Sequence, residues 1–161
     1  MDSMDPPRVG EDAPDFELYN DQQQAWRLSE HLDLPVVLLF FPGAFTRVCT
    51  TELNTVNDDS ERFDRANIVG ISTDSPFVLD EFRSANSFDF PLLSDHDGEV
   101  SARYGAKYQN DFSPMNLDRI SKRAAFVVDG DGVIRYREVL DNAGKQPDFD
   151  AIAATLDEVT D

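Results

Sequence analysis

The only cysteine of the chain, Cys49, is the residue best placed to do chemistry. It follows an apolar stretch at 36–39 and stands where a helix-like pattern begins. A thiol in the first turn of a helix feels the positive end of the helix dipole and backbone N–H groups without intrahelical partners, and both favour the thiolate. The thiolate is the reactive form. Cys49 is therefore predicted to be a nucleophile, with a buried structural thiol as the alternative.

Two residues near Cys49 limit the kinds of reaction that its thiolate could perform. Thr46 stands three residues before Cys49, where a dithiol oxidoreductase would carry its other cysteine, so dithiol exchange within this loop is excluded. A lone thiolate with a nearby hydroxyl and a proline, Pro42, suits attack on a small polar substrate held by hydrogen bonds. A peroxide fits that description.

The surrounding patterns indicate which elements position the cysteine. Residues 36–41 are apolar throughout, which is typical of a strand covered on both faces. Helical spacing of apolar residues runs from Cys49 through Phe63, and the next strand is expected at 67–73. Two strands separated by a helix predict a βαβ crossover.

The remaining segments predict a mixed sheet flanked by helices, in one domain spanning 1–161 with residues 1–7 as a flexible lead. The class is α/β, a thioredoxin-like fold with an N-terminal β-hairpin extension. The other predicted elements are a hairpin of residues 15–19 and 25–28, a helix starting at Ser75-Pro76, a short apolar segment at 90–93, one or two helical turns at 100–104, a loop at 107–121, a hairpin of residues 124–129 and 133–139, and a helix starting at Pro147-Asp148.

Taken together, these residues resemble a known family. The pattern Pro42-x-x-x-Thr46-x-x-Cys49, followed by Glu52, resembles the active-site motif of peroxiredoxins. Residues 10–16 resemble the family's N-terminal signature, and residues 123–129 resemble its late strand, which an arginine opens. The resemblance covers about residues 8–160. Within the family, the chain most resembles the one-cysteine alkyl hydroperoxide reductase E branch, with the bacterioferritin-comigratory branch close behind.

The resemblance implies a role for each matching position. Cys49 would be the peroxidatic nucleophile, Thr46 would hydrogen-bond the peroxide, and Pro42 would shield the thiolate. Arg123 would be its electrostatic partner and would stabilise the charge that shifts along the O–O bond. Arg47 is a rival partner because it is closer in sequence, but the family motif tolerates many residues at that position.

Two residues would support this set. The backbone N–H of Val48 would add to the same anion-stabilising group as the N–H of Cys49. Glu52, one helical turn beyond the cysteine, would orient an arginine.

The resemblance implies a thiol-dependent peroxidase that reduces hydrogen peroxide or an alkyl hydroperoxide through a cysteine sulfenic acid. The chain has no second cysteine, so an external thiol or thioredoxin-like reductant is implied. No metal, haem, flavin or other cofactor is expected. The protein is expected to form a homodimer. The alternative is a non-enzymatic redox sensor or interaction module, in which Cys49 oxidises without turnover.

The charge and composition of the chain indicate which binding partners and which kind of source organism to expect. The chain carries 32 acidic and 14 basic residues and a formal net charge of -18, so nucleic acid is an unexpected partner. Much of the acid is Asp and lysine occurs only three times, a composition that resembles proteins of salt-in halophiles. No apolar run is long enough to span a bilayer, and a lone cysteine suits a reducing compartment, so a cytoplasmic protein is expected.

Several other residues are interpreted as structural. His31 and His96 lack metal-ligand spacing and are predicted to be surface or loop residues. Residues 95–99 and 129–132 resemble calcium loops but lack the full ligand set, and are interpreted as turns. Three aromatic residues could line a pocket for an organic peroxide or simply pack in the core: Phe45, Phe112 and Phe126.

Overall fold

The computed structural model describes residues 7–108 and 119–160. Its elements, in chain order, are β1 (Glu17–Asn20), β2 (Ala25–Arg27), a 3₁₀ turn (Leu28–Glu30), β3 (Val36–Phe40), α1 (Arg47–Asp58), α2 (Ser60–Phe63), β4 (Asn67–Ser72), α3 (Pro76–Asn86), β5 (Leu92–Ser94), α4 (Glu99–Arg103), β6 (Arg123–Val128), β7 (Ile134–Leu140) and α5 (Phe149–Val159). This order confirms the predicted alternation of strands and helices, and most boundaries differ from the predicted ones by one or two residues.

The strands form one mixed sheet in the order β2-β1-β5-β4-β3-β6-β7. β3 and β4 pair in parallel on either side of α1, which confirms the βαβ crossover. β3 pairs antiparallel with β6, and β6 pairs antiparallel with β7. The predicted N-terminal hairpin is present and joins the same sheet, because β1 pairs antiparallel with β5.

β3 is buried along its whole length because both faces of the sheet are covered. Val37 and Leu39 contribute to the core under α1, α3 and α5, together with Leu53 of α1. Phe40 points to the opposite core, which also contains Tyr104. The apolar run at 36–41 thus reflects a strand between two cores.

The helix after Cys49 differs from its predicted extent. α1 begins at Arg47, two residues before the cysteine, and ends at Asp58. Asp59 has a non-helical backbone (φ -107°, ψ 48°), so the apolar Phe63 lies in the separate short helix α2 rather than on α1. Apolar spacing alone does not reveal this break, since Phe63 packs into the same core as α1.

Two predicted helix starts are confirmed by their caps. The Ser75 hydroxyl accepts a hydrogen bond from the backbone N–H of Val78 at 3.3 Å, with Pro76 at the first helical position. The Asp148 carboxylate accepts from the N–H of Ala151 at 3.1 Å.

The predicted loop at 107–121 lies mostly outside the described residues; at its ends, Lys107 and Ser121 form an isolated antiparallel bridge. In the described part of the chain, no helix is long and apolar enough to cross a membrane.

Candidate active site

Cys49 lies in the first turn of α1 and is 1% exposed. Thr46 is the residue before the helix, and the first helical hydrogen bond runs from the N–H of Thr50 to its carbonyl at 2.9 Å. The N–H groups of Arg47, Val48 and Cys49 therefore have no acceptor within the helix, as is general for a first turn. The sulfur of Cys49 thus lies at the positive end of the helix dipole.

Arg123 is brought to the cysteine by sheet register. β6 runs antiparallel to β3 and Ala124 pairs with Phe40, so the first residue of β6 lies beside the end of β3, where the chain turns towards α1. Nη1 of Arg123 donates a hydrogen bond to Sγ of Cys49 at 3.3 Å, and the arginine is 1% exposed. A buried guanidinium therefore lies within hydrogen-bonding distance of the sulfur. Arg47, the rival in sequence, is exposed.

The guanidinium of Arg123 is held on two sides. Nη1 also donates to Oε1 of Glu52 at 2.6 Å, and Nη2 donates to the carbonyl of Ala143 at 2.8 Å. Glu52 lies one turn beyond Cys49 on α1 and is fully buried. The structure thus brings Arg123 into direct contact with both Cys49 and Glu52.

Burial and neighbouring charges shift the pKa values of Glu52 and Arg123. Burial, opposed by the attraction of Arg123 and assisted by the charge of Glu138, raises the pKa of Glu52 to about 7. Burial by itself would lower the pKa of Arg123, but the charges of Glu52 and Cys49 and the hydrogen bonds to them raise it above its ordinary value. The arginine is therefore a permanent cation next to the sulfur, whereas the carboxylate titrates near neutrality.

The loop between β3 and α1 carries the other two predicted residues. Pro42 is buried directly after β3, and Thr46 is exposed at the start of the helix. Oγ1 of Thr46 donates to the carbonyl of Gly43 at 2.8 Å, which leaves the lone pairs of that oxygen free to accept from a substrate O–H. Phe45, in the middle of the loop, has a positive φ of 64°.

Two of the three aromatic residues that could have lined a peroxide pocket lie on opposite sides of the sheet. Phe45 is exposed and its ring lies 5.0 Å from that of Phe82. Phe126 is fully buried in the core on the face of the sheet opposite Cys49, so it packs the core and lines no pocket at the sulfur. Phe112 lies outside the described residues.

The structure also shows contacts that the sequence reasoning missed. The carbonyl of Ala143 carries no side-chain signal, and nothing local marks a backbone acceptor. The Asp74 carboxylate accepts from the backbone N–H of Ala44 at 2.7 Å, within the active-site loop. Asp74 follows β4, which pairs in parallel with β3. That predicted pairing was the one sequence signal that the segments after the two strands would lie close together.

The histidines lie away from Cys49. His31 stacks on Trp26 with ring centroids 4.3 Å apart, and His96 is exposed in the loop after β5. Among residues 7–108 and 119–160, no three His, Cys, Asp or Glu side chains are grouped as a metal ion would require.

The model of the AhpC/TSA family matches residues 9–137. The chain belongs to this family. It is 39% identical over 149 residues to a putative peroxiredoxin of Mycobacterium tuberculosis, a match that covers 91% of each chain. It is 31% identical over 135 residues to peroxiredoxin Bcp of Escherichia coli, which covers 83% of this chain and 86% of the relative.

A solved structure agrees with this assignment. The crystal structure of peroxidoxin BcpB from Mycobacterium tuberculosis superposes with a TM-score of 0.83 at 33% identity, covering 96% of this chain and 99% of the other. The similarity confirms the thioredoxin-like fold and the peroxiredoxin resemblance. This AhpC/TSA member is accordingly a peroxiredoxin, a class of thiol-dependent peroxidases.

Proposed function

We propose that this peroxiredoxin reduces hydrogen peroxide or an alkyl hydroperoxide by a one-cysteine mechanism centred on Cys49. The contact between Arg123 and the sulfur is the observation that carries the proposal. A fixed, buried cation beside a first-turn cysteine favours the nucleophile and the charge that develops as the O–O bond breaks.

The proposed cycle has an oxidation step at Cys49 and a reduction step that uses an external thiol. The Cys49 thiolate attacks one peroxide oxygen, an S–O bond forms, and the O–O bond breaks. The departing oxygen takes a proton from solvent, equal to the one released when Cys49 ionised, and leaves as water or an alcohol, so the peroxide is reduced and the sulfur is oxidised to a sulfenic acid. Two equivalents of an external thiol then return the sulfenic acid to the thiol, releasing water and a disulfide of the reductant. The chain has no second cysteine to resolve the sulfenic acid internally.

The neighbouring residues orient the peroxide in this proposal. Thr46 Oγ1 accepts a hydrogen bond from the peroxide O–H, because its own proton is engaged by Gly43. The N–H groups of Val48 and Cys49 and the guanidinium of Arg123 stabilise the negative charge. Glu52 orients Arg123, and the buried Pro42 shields the thiolate from bulk water.

Stopped-flow oxidation of the reduced protein tests the proposal. The protein and Cys49→Ser would be mixed with hydrogen peroxide or cumene hydroperoxide in about 2 M KCl, where surface charge is screened. The sulfenic acid would be trapped with dimedone and measured by mass spectrometry. We expect a second-order rate constant of at least about 10⁴ M⁻¹s⁻¹, within the usual range for enzymes. No trapped product is expected with the serine variant.

A rate no faster than that of a free thiol would contradict the peroxidase proposal. Fast oxidation without repeated turnover in the presence of a small thiol or a thioredoxin would instead favour the sensor or interaction module. The comparison of the two peroxides ranks the substrates, and the buried position of Cys49 favours the smaller one.

A homodimer is part of the proposal. Three apolar side chains are exposed on the β3–α1 loop and at the start of α3: Phe45, Phe77 and Val78, which are 55%, 68% and 40% exposed. Light scattering after size-exclusion chromatography at low and high KCl tests it, because the net charge of -18 opposes association at low salt. A single cysteine cannot form an internal disulfide, which suits a reducing compartment and supports the cytoplasm as the place of action.

A further inference from the structure

We infer that Asp74 is a positioning residue for peroxide reduction, acting through the backbone of the active-site loop. The inference rests on the proposed function and adds to it a residue outside the motif. Asp74 follows β4, whereas the loop it contacts follows β3. Its Oδ2 atom accepts from the N–H of Ala44 at 2.7 Å.

The carboxylate of Asp74 is itself held in place. Oγ of Ser72 donates to the same Oδ2 atom at 2.7 Å, and the N–H of Asp74 donates to Oγ of Ser72 at 3.2 Å. Oγ of Ser94, at the end of β5, donates to the carbonyl of Asp74 at 2.6 Å. Ser72 and Ser94 are buried, so the acceptor presented to Ala44 has a defined position.

The loop needs such an anchor because its backbone is unusual. Phe45, the residue after Ala44, has a φ of 64°, in the left-handed region that a bulky side chain rarely adopts. Its side chain is 55% exposed and contacts the ring of Phe82, which is a limited anchor on its own. The bond from Ala44 to Asp74 fixes the peptide just before this residue.

Thr46 lies directly after Phe45, so the same backbone conformation aims the hydroxyl that would accept from the peroxide. It also sets where the chain enters α1, and hence where the free N–H groups point. Reacting groups displaced by about 1 Å can lose about 100-fold in rate. Asp74 thus acts on the orientation of substrate rather than on the sulfur.

The thiolate partner is anchored independently of Asp74. Arg123 is held by Glu52 and by the carbonyl of Ala143, and neither contact involves the β4–α3 segment. Loss of Asp74 should therefore affect reaction with peroxide more than reaction with a reagent that needs only a thiolate. Iodoacetamide is such a reagent, since it makes no use of an oriented O–O bond.

The experiment compares Asp74→Ala, Asp74→Asn and the unmodified protein, with Asp131→Ala as a control. Asp131 is exposed in the β6–β7 turn, and its replacement changes the net charge by the same amount. Each reduced protein is reacted with hydrogen peroxide and, separately, with iodoacetamide. Melting temperature and circular dichroism report folding.

We expect Asp74→Ala to lower the rate with peroxide by about 10- to 100-fold and to leave the rate with iodoacetamide nearly unchanged. Asp74→Asn should retain most of the rate with peroxide, because the amide oxygen can accept from both Ala44 and Ser72. Asp131→Ala should match the unmodified protein in both reactions.

Three results would overturn the inference: an unchanged rate with peroxide for Asp74→Ala, an equal loss of rate with both reagents, or an asparagine variant as slow as the alanine variant.

If Asp74→Ala does not fold, Ser72→Ala decides. If Ser72→Ala reacts more slowly with peroxide but not with iodoacetamide, the inference is supported. If Ser72→Ala reacts as fast as the unmodified protein with both reagents, the inference is overturned. A slow unmodified protein would count against the proposed function, whereas a fast unmodified protein with an equally fast Asp74→Ala would count against Asp74 alone.

Discussion

Nη1 of Arg123 lies 3.3 Å from Sγ of Cys49, although the two residues are 74 positions apart in the chain. The same nitrogen is 2.6 Å from the carboxylate of Glu52. One buried cation is therefore shared between a thiol and a carboxyl group, and its charge is available to whichever of the two is ionised.

Arg123→Lys should lower the rate of oxidation by hydrogen peroxide by about 10²- to 10³-fold, as when one donor to a developing anion is removed. Lysine keeps the charge but cannot contact the sulfur, the carboxylate and the carbonyl of Ala143 in one plane. Stopped-flow rates check this, with Arg47→Lys as the matched control because Arg47 is exposed. A larger loss in the Arg47 variant would make Arg47 the partner of the sulfur.

Stability should depend on pH through Glu52. Its pKa is about 7 in the folded protein against an ordinary 4.5, so the folded state holds a proton that the unfolded chain releases. Folding is then favoured below pH 4.5, and this stabilisation is lost as pH rises through 7, a total of about 3 kcal/mol.

Urea unfolding of the protein and of Glu52→Gln at about pH 5 and about pH 8 measures the effect. The glutamine variant cannot titrate at this position. The difference in unfolding free energy between the two proteins should therefore shift against the unmodified protein at the higher pH. Parallel pH profiles for both proteins would show that Glu52 does not titrate in this range.

The melting temperature should rise with KCl by several degrees. The 32 acidic residues repel one another across the surface, and molar salt screens this repulsion within about 3 Å. Salt also weakens surface ion pairs such as Arg62–Asp150, but exposed pairs of this kind contribute little to stability. Sucrose at equal osmolality serves as the control, and a flat KCl curve would remove the halophile interpretation.

Excess peroxide should inactivate the enzyme progressively during turnover. Without a resolving cysteine, the Cys49 sulfenic acid persists until an external thiol arrives, and further oxidation yields the sulfinic acid. Mass spectrometry of the peptide containing Cys49 should show two added oxygen atoms in step with lost activity, and Cys49→Ser should show none. Inactivation without this mass change would point to another lesion.

Much of the fold was predictable because it depends on local patterns. The fully apolar run at 36–41 identifies a strand with two covered faces, and Ser75 followed by proline identifies a helix start. The break between α1 and α2 was missed, because it depends on the backbone of Asp59 while Phe63 keeps its place in the core. Core burial and helix continuity are different properties, and the pattern records only the first.

The sequence by itself determined the candidate reactive group: a single cysteine after a predicted strand, with Thr46 and Pro42 at motif spacing. Tertiary structure decided what surrounds it. The antiparallel register of β3 and β6 places Arg123 at the sulfur, and the alternation of side chains along β6 sends Phe126 to the opposite core. The β3–β4 pairing brings Asp74 to the backbone of the loop. Such contacts depend on sheet register between distant segments, whereas residue type and spacing encode only the local periodicity that forms each segment.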